Sequence, residues 1–135
     1  MDLQQTLAIA SSGLSAQGKR VRVIAENIAN ADTLPATPDA QPYQRKTVTF
    51  ATELDRATGA EMVKVKRIAP DRAAPIRRYE PGHPAADAAG YVNAPNIDRL
   101  VEVMDAREAQ RSYEANLQVI EAARRMMART IEVLR

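Results

Sequence analysis

The sequence predicts a mainly α protein whose long N- and C-terminal helices pack as an antiparallel, coiled-coil-like pair, with a small β-rich middle insertion. Apolar residues near each end recur at alternating steps of three and four, and this spacing indicates helices with one apolar face. Seven of the eight prolines lie between Pro35 and Pro84, so a long helix is excluded there. The expected segments are residues 1–34, 35–95 and 96–135, with the two helices forming one module.

The first helix is expected to run from about Asp2 to about Asn30. Asn30, Asp32 and the prolines that follow end it, because proline cannot continue the backbone hydrogen bonds. Its apolar face, here the N-terminal stripe, has Gln17 as its one polar member and consists of Leu3, Leu7, Ala10, Leu14, Gln17, Val21, Ile24 and Ile28.

The middle region carries short alternating apolar patterns that favour strands separated by turns. The pairs that show this alternation are Val48 with Phe50, Val63 with Val65, and Ile76 with Tyr79. Few large apolar residues lie in this region, so it predicts a small sheet and not an independent catalytic domain.

The second helix is expected to begin near Asn96, whose side chain can cap the first free amides, and to run to Arg135. Asp98 would favour the positive end of the helix. Its apolar face, here the C-terminal stripe, consists of Val103, Ala106, Gln110, Tyr113, Leu117, Ile120, Arg124, Met127, Ile131 and Leu134.

Both stripes need partners, because the chain has one Phe and no Trp with which to build a deep core. We hypothesise that the isolated subunit is marginally stable and that assembly buries the stripes. The residues expected at the assembly interface are Leu3, Leu7, Leu14, Val21, Ile24, Asn27, Ile28, Asn30, Tyr113, Asn116, Leu117, Ile120, Met127, Ile131 and Leu134.

Three asparagines stand on or beside the helices, where asparagine is a poor interior residue. For Asn30 the simpler interpretation is capping, and for Asn27 and Asn116 it is exposure. The sharper hypothesis is that Asn27 and Asn116 form amide hydrogen bonds across the helix pair or to the next subunit and so set its register.

The sequence predicts no catalytic, cofactor-binding or metal site, and no cofactor. There is no cysteine, and the single histidine, His83, lies in a predicted Pro-Gly-His-Pro turn. The acidic pairs Asp98 with Glu102 and Asp105 with Glu108 are expected on a solvated helix face. No segment predicts a membrane span, and the N-terminus lacks the pattern of a cleaved secretory signal.

The net charge of +2 is too small to indicate a nucleic-acid-binding protein. One local excess of basic residues lies between Lys64 and Arg78, and we interpret it as the solvated face of a strand pair. The alternative interpretation is a patch that binds nucleic acid or an acidic partner. A coiled-coil adaptor or export chaperone is a second alternative, and it would form a discrete dimer.

Four segments of the chain resemble a known family. Residues 12–33, SGLSAQGKRVRVIAENIANADT, are similar to the N-terminal signature of bacterial flagellar rod and hook axial proteins. Residues 108–135 resemble the C-terminal helix of that family, with Arg111, Tyr113 and Asn116 in its Arg-x-Tyr-x-x-Asn core. Residues 41–50 and 79–98 are similar to the short, proximal type of rod protein.

The resemblance implies a structural subunit of the flagellar basal-body rod in the periplasm. It further implies export through the flagellar type III apparatus without signal cleavage. The expected partners are other rod subunits and further copies of this chain, with neither nucleic acid nor a direct membrane span. The terminal helices would then build a helical tube that transmits torque.

Overall fold

The computed structural model describes residues 2–135 and confirms two long terminal helices with a small β-rich region between them. Helix α1 spans Leu3–Ala29 and helix α2 spans Arg99–Val133. The strands between them are β1 (Lys46–Asp55), β2 (Ala60–Pro70), β3 (Ile76–Tyr79) and β4 (Tyr91–Ala94). Within residues 2–135, neither helix has a stretch that is long and apolar enough to cross a bilayer.

The four strands form two separate two-stranded sheets, β1 with β2 and β3 with β4. The second pair is antiparallel, with Ile76 opposite Ala94 and Tyr79 opposite Tyr91. Between β1 and β2 the amide of Gly59, at a φ of 71°, donates to the carbonyl of Asp55 at 2.7 Å. Glycine adopts this left-handed conformation without a steric penalty, and so it closes the turn.

Side chains cap both ends of α1. At the start of α1 the Asp2 carboxylate accepts a hydrogen bond from the Gln5 amide at 2.7 Å, and the Gln5 side chain accepts one from the Asp2 amide at 3.3 Å. This reciprocal pair has the geometry of a capping box. At the other end, the Asn30 side chain donates to the Glu26 carbonyl at 2.8 Å, which satisfies a terminal carbonyl.

The prediction that Asn96 caps α2 is wrong, because Asp98 takes this role. The Asp98 carboxylate accepts from the Leu100 amide at 2.9 Å, and the Asp98 carbonyl accepts the first helical bond from Glu102. Asn96 is three residues ahead of the helix. Its side chain accepts from the amide of Arg45 at 2.8 Å and donates to a neighbouring loop.

The chain divides into two units, and each has its own core. Unit 1 comprises Met1–Val21, Val48–Arg67 and Arg107–Arg135, and unit 2 comprises Arg22–Thr47 and Ile68–Ala106. The buried apolar residues of unit 1 are all alanines: Ala10, Ala16, Ala60, Ala109 and Ala123. The core of unit 2 includes larger side chains, among them Val23, Ile24, Val92 and Ile97.

The turn between β3 and β4 depends on Gly90, whose φ is 86°. A Cβ atom added to Gly90 would lie 2.8 Å from a ring carbon of Tyr79. Gly90→Ala is therefore expected to lower the free energy of unfolding by about 1–3 kcal/mol in urea denaturation, through backbone strain and this contact.

Gly82→Ala is the matched control, because the added Cβ would have no neighbour within 4 Å. Its effect should stay within about 1 kcal/mol, in the stabilising direction, because alanine restricts the unfolded chain. Equal losses in the two variants would contradict this account of the turn.

Candidate functional site

Asn27 is the centre of a buried hydrogen-bond network in unit 2. Its side chain is 1% exposed. The amide oxygen accepts from the Lys46 backbone at 2.9 Å and from the Tyr43 hydroxyl at 3.2 Å. The amide nitrogen donates to the Lys46 carbonyl at 2.9 Å and to the Glu102 carboxylate at 3.3 Å. The bond to Glu102 is the amide contact across the helix pair that the sequence suggested for Asn27.

Glu102 is fully buried, which corrects the prediction of a solvated acidic face at this position. Its carboxylate accepts from Asn27 and from the Nε atom of Arg45. A buried carboxylate is costly unless it is paired and hydrogen-bonded, and both conditions are met here. The two bonds therefore tie the middle of unit 2 to the start of α2.

Arg45 gathers three carboxylates around one guanidinium group. Besides Glu102, its Nη2 atom lies 3.3 Å from Asp105 and its Nη1 atom lies 3.5 Å from Asp71. The hydrogen bond to Glu102, together with the charges of these three acids, raises the pKa of Arg45. Partial burial raises the pKa of Tyr43, which bonds to Asn27. The three carboxylates share this one guanidinium group as their partner, which indicates a structural role for the cluster.

Sequence reasoning missed this cluster because its members are far apart in the chain. A usable signal was present in α2, where Glu102 lies seven residues before Ala109 and fourteen before Asn116. That spacing places the carboxylate on the same face as small and amide side chains and not on a charged face. No comparable local pattern indicates Arg45.

Arg45→Met is expected to lower the free energy of unfolding by about 3–5 kcal/mol, because it leaves the buried Glu102 carboxylate without its charged partner. In the background of Glu102→Gln the same change should cost at least about 1 kcal/mol less, which a double-mutant cycle in urea measures. Arg22→Met is the control. It breaks only the exposed pair with Glu26 and should cost less than about 1 kcal/mol. Additive losses at Arg45 and Glu102 would contradict the coupling.

In unit 1, helix α2 meets α1 through small side chains. This inner face of α2 consists of Ala109, Ser112, Asn116 and Ala123, which are buried or half-buried. A Cβ atom on Gly13 would lie 2.9 Å from the amide nitrogen of Asn116, and one on Gly18 would lie 3.8 Å from the Tyr113 ring. Asn116 itself donates to the Ser112 carbonyl of its own helix at 3.0 Å, and within residues 2–135 its side chain has no hydrogen bond to α1. The alternative, an amide bond to the next subunit, stays a prediction.

The C-terminal stripe lies beside this inner face and not within it. Each of the four inner-face residues directly precedes a residue of the stripe in the sequence. One position along an α-helix is a rotation of about 100° around its axis, so the stripe lies to one side of the inner face. Leu117 is 40% exposed, Ile131 58% and Leu134 82%. Tyr113 and Met127 are also exposed, and Ile120 is half-buried. Tyr113 lies beside Gly18 of α1. The contact of this stripe with α1, which we expect partly within one subunit and partly between subunits, stays a prediction.

The N-terminal stripe is covered more completely than the C-terminal one. Ile24 is buried, and Leu3, Leu7, Leu14, Val21 and Ile28 are half-buried. The C-terminal stripe therefore leaves more apolar surface exposed than the N-terminal stripe does.

Gly13 and Asn116 are expected to be energetically coupled, because an alanine at residue 13 would displace the Asn116 amide. Gly13→Ala should be less favourable in the native background than in the background of Asn116→Ala, by about 1 kcal/mol. Thermal unfolding of the two single variants and the double variant measures this difference. A coupling energy near zero would mean that the helices do not approach closely at this point.

Several basic residues between Lys64 and Arg78 are paired. Lys64 lies 3.0 Å from Glu53. Arg78 lies 3.2 Å from Asp32, and Arg77 pairs with Asp87 while it stacks 4.9 Å above the Tyr91 ring. These pairs reduce the positive charge that this stretch presents. The one histidine, His83, accepts a hydrogen bond from the Ala85 amide at 3.0 Å and thus has a role in its turn.

Two family models match the ends of the chain. Residues 7–34 match the model described as flagella basal body rod protein. Residues 88–133 match the model described as the C-terminal part of flagellar basal body rod FlgEFG proteins. These ranges cover most of α1 and all of α2.

Similar proteins named flagellar basal-body rod protein FlgC occur in several bacteria. The one from Agrobacterium fabrum (strain C58) is 53% identical over 127 residues, which cover 94% of this chain and 91% of the relative. The one from Salmonella typhimurium is 41% identical and covers 97% of both chains. The one from Borreliella burgdorferi is 35% identical and covers 99% of both.

Proposed function

We propose that this chain, which belongs to the FlgC family of flagellar basal-body rod proteins, assembles through the exposed apolar stripe of α2. Membership of this family confirms the resemblance drawn from the sequence. It makes the chain a structural subunit of the flagellar basal-body rod, used in motility and assembled with other rod components.

The support for this mode of assembly is the position of large apolar side chains outside the subunit. Soluble monomers seldom expose a continuous apolar surface of this length, and such surfaces are typical of protein–protein contacts. From Tyr113 to Leu134 the stripe follows one line along α2 at steps of three or four residues. Its exposed apolar members include Leu117, Met127 and Ile131. A neighbouring subunit that covers this line would remove it from water, which is favourable by about 25 cal/mol per Å².

We further propose that α1 and α2 act as an antiparallel, coiled-coil-like pair. Gly13 of α1 lies beside Asn116 of α2. Arg20, further along α1, lies 3.6 Å from Glu108, which comes earlier in α2. The two helices therefore run in opposite directions. In this scheme residues 1–34 and 96–135 form the axial module and residues 35–95 form an insertion. Repetition of the module around an axis would give a helical tube that transmits torque.

The remaining parts of the proposal concern delivery of the subunit. We propose that the subunit leaves the cytoplasm through the flagellar type III apparatus with its N-terminal segment retained. The periplasm is then the place of assembly. Retention of residues 1–34 is required in this scheme because α1 supplies one of the two helices of the module.

Leu117→Asp is expected to abolish swimming and to remove the chain from purified basal bodies. In the assembled rod the added carboxylate would be buried without a partner, at a cost of about 2–5 kcal/mol. In the isolated subunit Leu117 is partly exposed, so circular dichroism should show near-normal helix content.

Gln118→Asp is the matched control, because it adds the same charge one residue away on an exposed position. Cells with this change should swim, and their basal bodies should contain the chain. Motile cells with Leu117→Asp would refute the assignment of this face to assembly.

A further inference from the structure

Most of the last three turns of α2 extends beyond the part of α1 that can pair with it. Gly13 lies against Asn116, and the two helices run in opposite directions. Leu3, ten residues before Gly13, is therefore level with Met126, ten residues after Asn116. Every residue from Arg124 to Arg135 is exposed. We call residues 124–135 the overhang.

The overhang repeats the apolar pattern of the helix segment that precedes it. Its residues Arg124, Met127, Ile131 and Leu134 follow Gln110, Tyr113, Leu117 and Ile120 after fourteen residues, which is two heptads. The polar member of each set also recurs at this interval. A displacement of seven residues would instead place Arg124 against Leu117.

The two segments carry opposite charge. The overhang contains four arginines and one acidic residue, Glu132. Residues 110–121, which a displacement of fourteen residues places beside the overhang, contain Glu114 and Glu121, both exposed, and one basic residue, Arg111. A basic apolar segment and an acidic apolar segment on one helix are complementary between copies, and such complementarity also fixes register.

We propose that the overhang binds residues 110–121 of a second copy of this chain, with the two α2 helices parallel and displaced by fourteen residues. At about 1.5 Å per residue, the displacement is about 21 Å along the helix. The interface places Met127 opposite Tyr113 and Ile131 opposite Leu117 of the second copy. This inference rests on the proposed function and specifies the partner and register of the same exposed stripe.

The parallel arrangement follows from the need to propagate. An antiparallel pairing of the same two segments would be symmetric, and each copy would satisfy the other in a closed dimer. A parallel, displaced pairing is heterologous. It leaves a free overhang at one end and a free acidic segment at the other, so further copies can be added.

Cysteine cross-linking tests this register directly, because the chain has no cysteine of its own. Two double variants are made in the full chain, Leu117→Cys with Ile131→Cys and Ile120→Cys with Leu134→Cys. Within one helix the two cysteines of each pair are about 21 Å apart. A disulfide needs Cα atoms within about 7 Å, so any bond must join two copies.

Basal bodies purified from cells with each variant are mildly oxidised and resolved by non-reducing electrophoresis. Linked products of two or more copies in both double variants, and none in the four single variants, are the expected result. The control pair, Gln118→Cys with Ile131→Cys, should give none, because Gln118 lies about 100° around the helix from Leu117.

Three results would overturn the inference. The first is the absence of linked copies from both double variants when the chain is present in the basal bodies. The second is linkage in only one of the two pairs, since an antiparallel contact can align one pair but not both. The third is linkage to a different rod protein, identified by mass. In each case loss of swimming in Leu117→Asp would still support the exposed stripe as an assembly face, so the two proposals fail separately.

Discussion

Close packing of α1 and α2 through small side chains determines which apolar side chains of α2 stay exposed on the subunit. In unit 1 the inner face of α2 is made of Ala109, Ser112, Asn116 and Ala123, and Gly13 of α1 lies against it. Small residues let two helices approach closely, but they bury little apolar area. The large apolar side chains of α2 therefore remain outside the subunit. This distribution fits the proposed assembly, in which neighbouring subunits cover these side chains.

The buried polar cluster in unit 2 has the opposite character. The Glu102 carboxylate accepts hydrogen bonds from the side chains of both Asn27 and Arg45. Buried groups of this kind add little net stability but make alternative arrangements expensive, because a misplaced partner leaves a charge or an amide unpaired. Unit 2 thus has a strict internal geometry and unit 1 has an apolar surface. The two features suit a subunit that must keep one shape while it binds neighbours along a helix.

Much of the fold could be predicted from residue spacing. The steps of three and four located both helices to within a few residues, and the prolines excluded a long helix from the middle. Asn27 could be singled out because asparagine is a poor residue for the interior of a helix. The N-cap of α2 was assigned to the wrong residue, since Asn96 and Asp98 are both good caps and only the loop geometry distinguishes them. Glu102 was misplaced because its acidic neighbours suggested a solvated face.

The sequence by itself determined that there are two amphipathic helices, where they lie to within a few residues, and that the chain has few large residues with which to bury their apolar faces. Periodicity and chain-breaking residues are local properties, so they can be seen without coordinates. Only the tertiary structure decided which face of α2 turns towards α1. That choice depends on contacts between distant residues, such as Gly13 with Asn116 and Arg45 with Glu102, and a rotation of one residue about the helix axis exchanges the covered face for the exposed one.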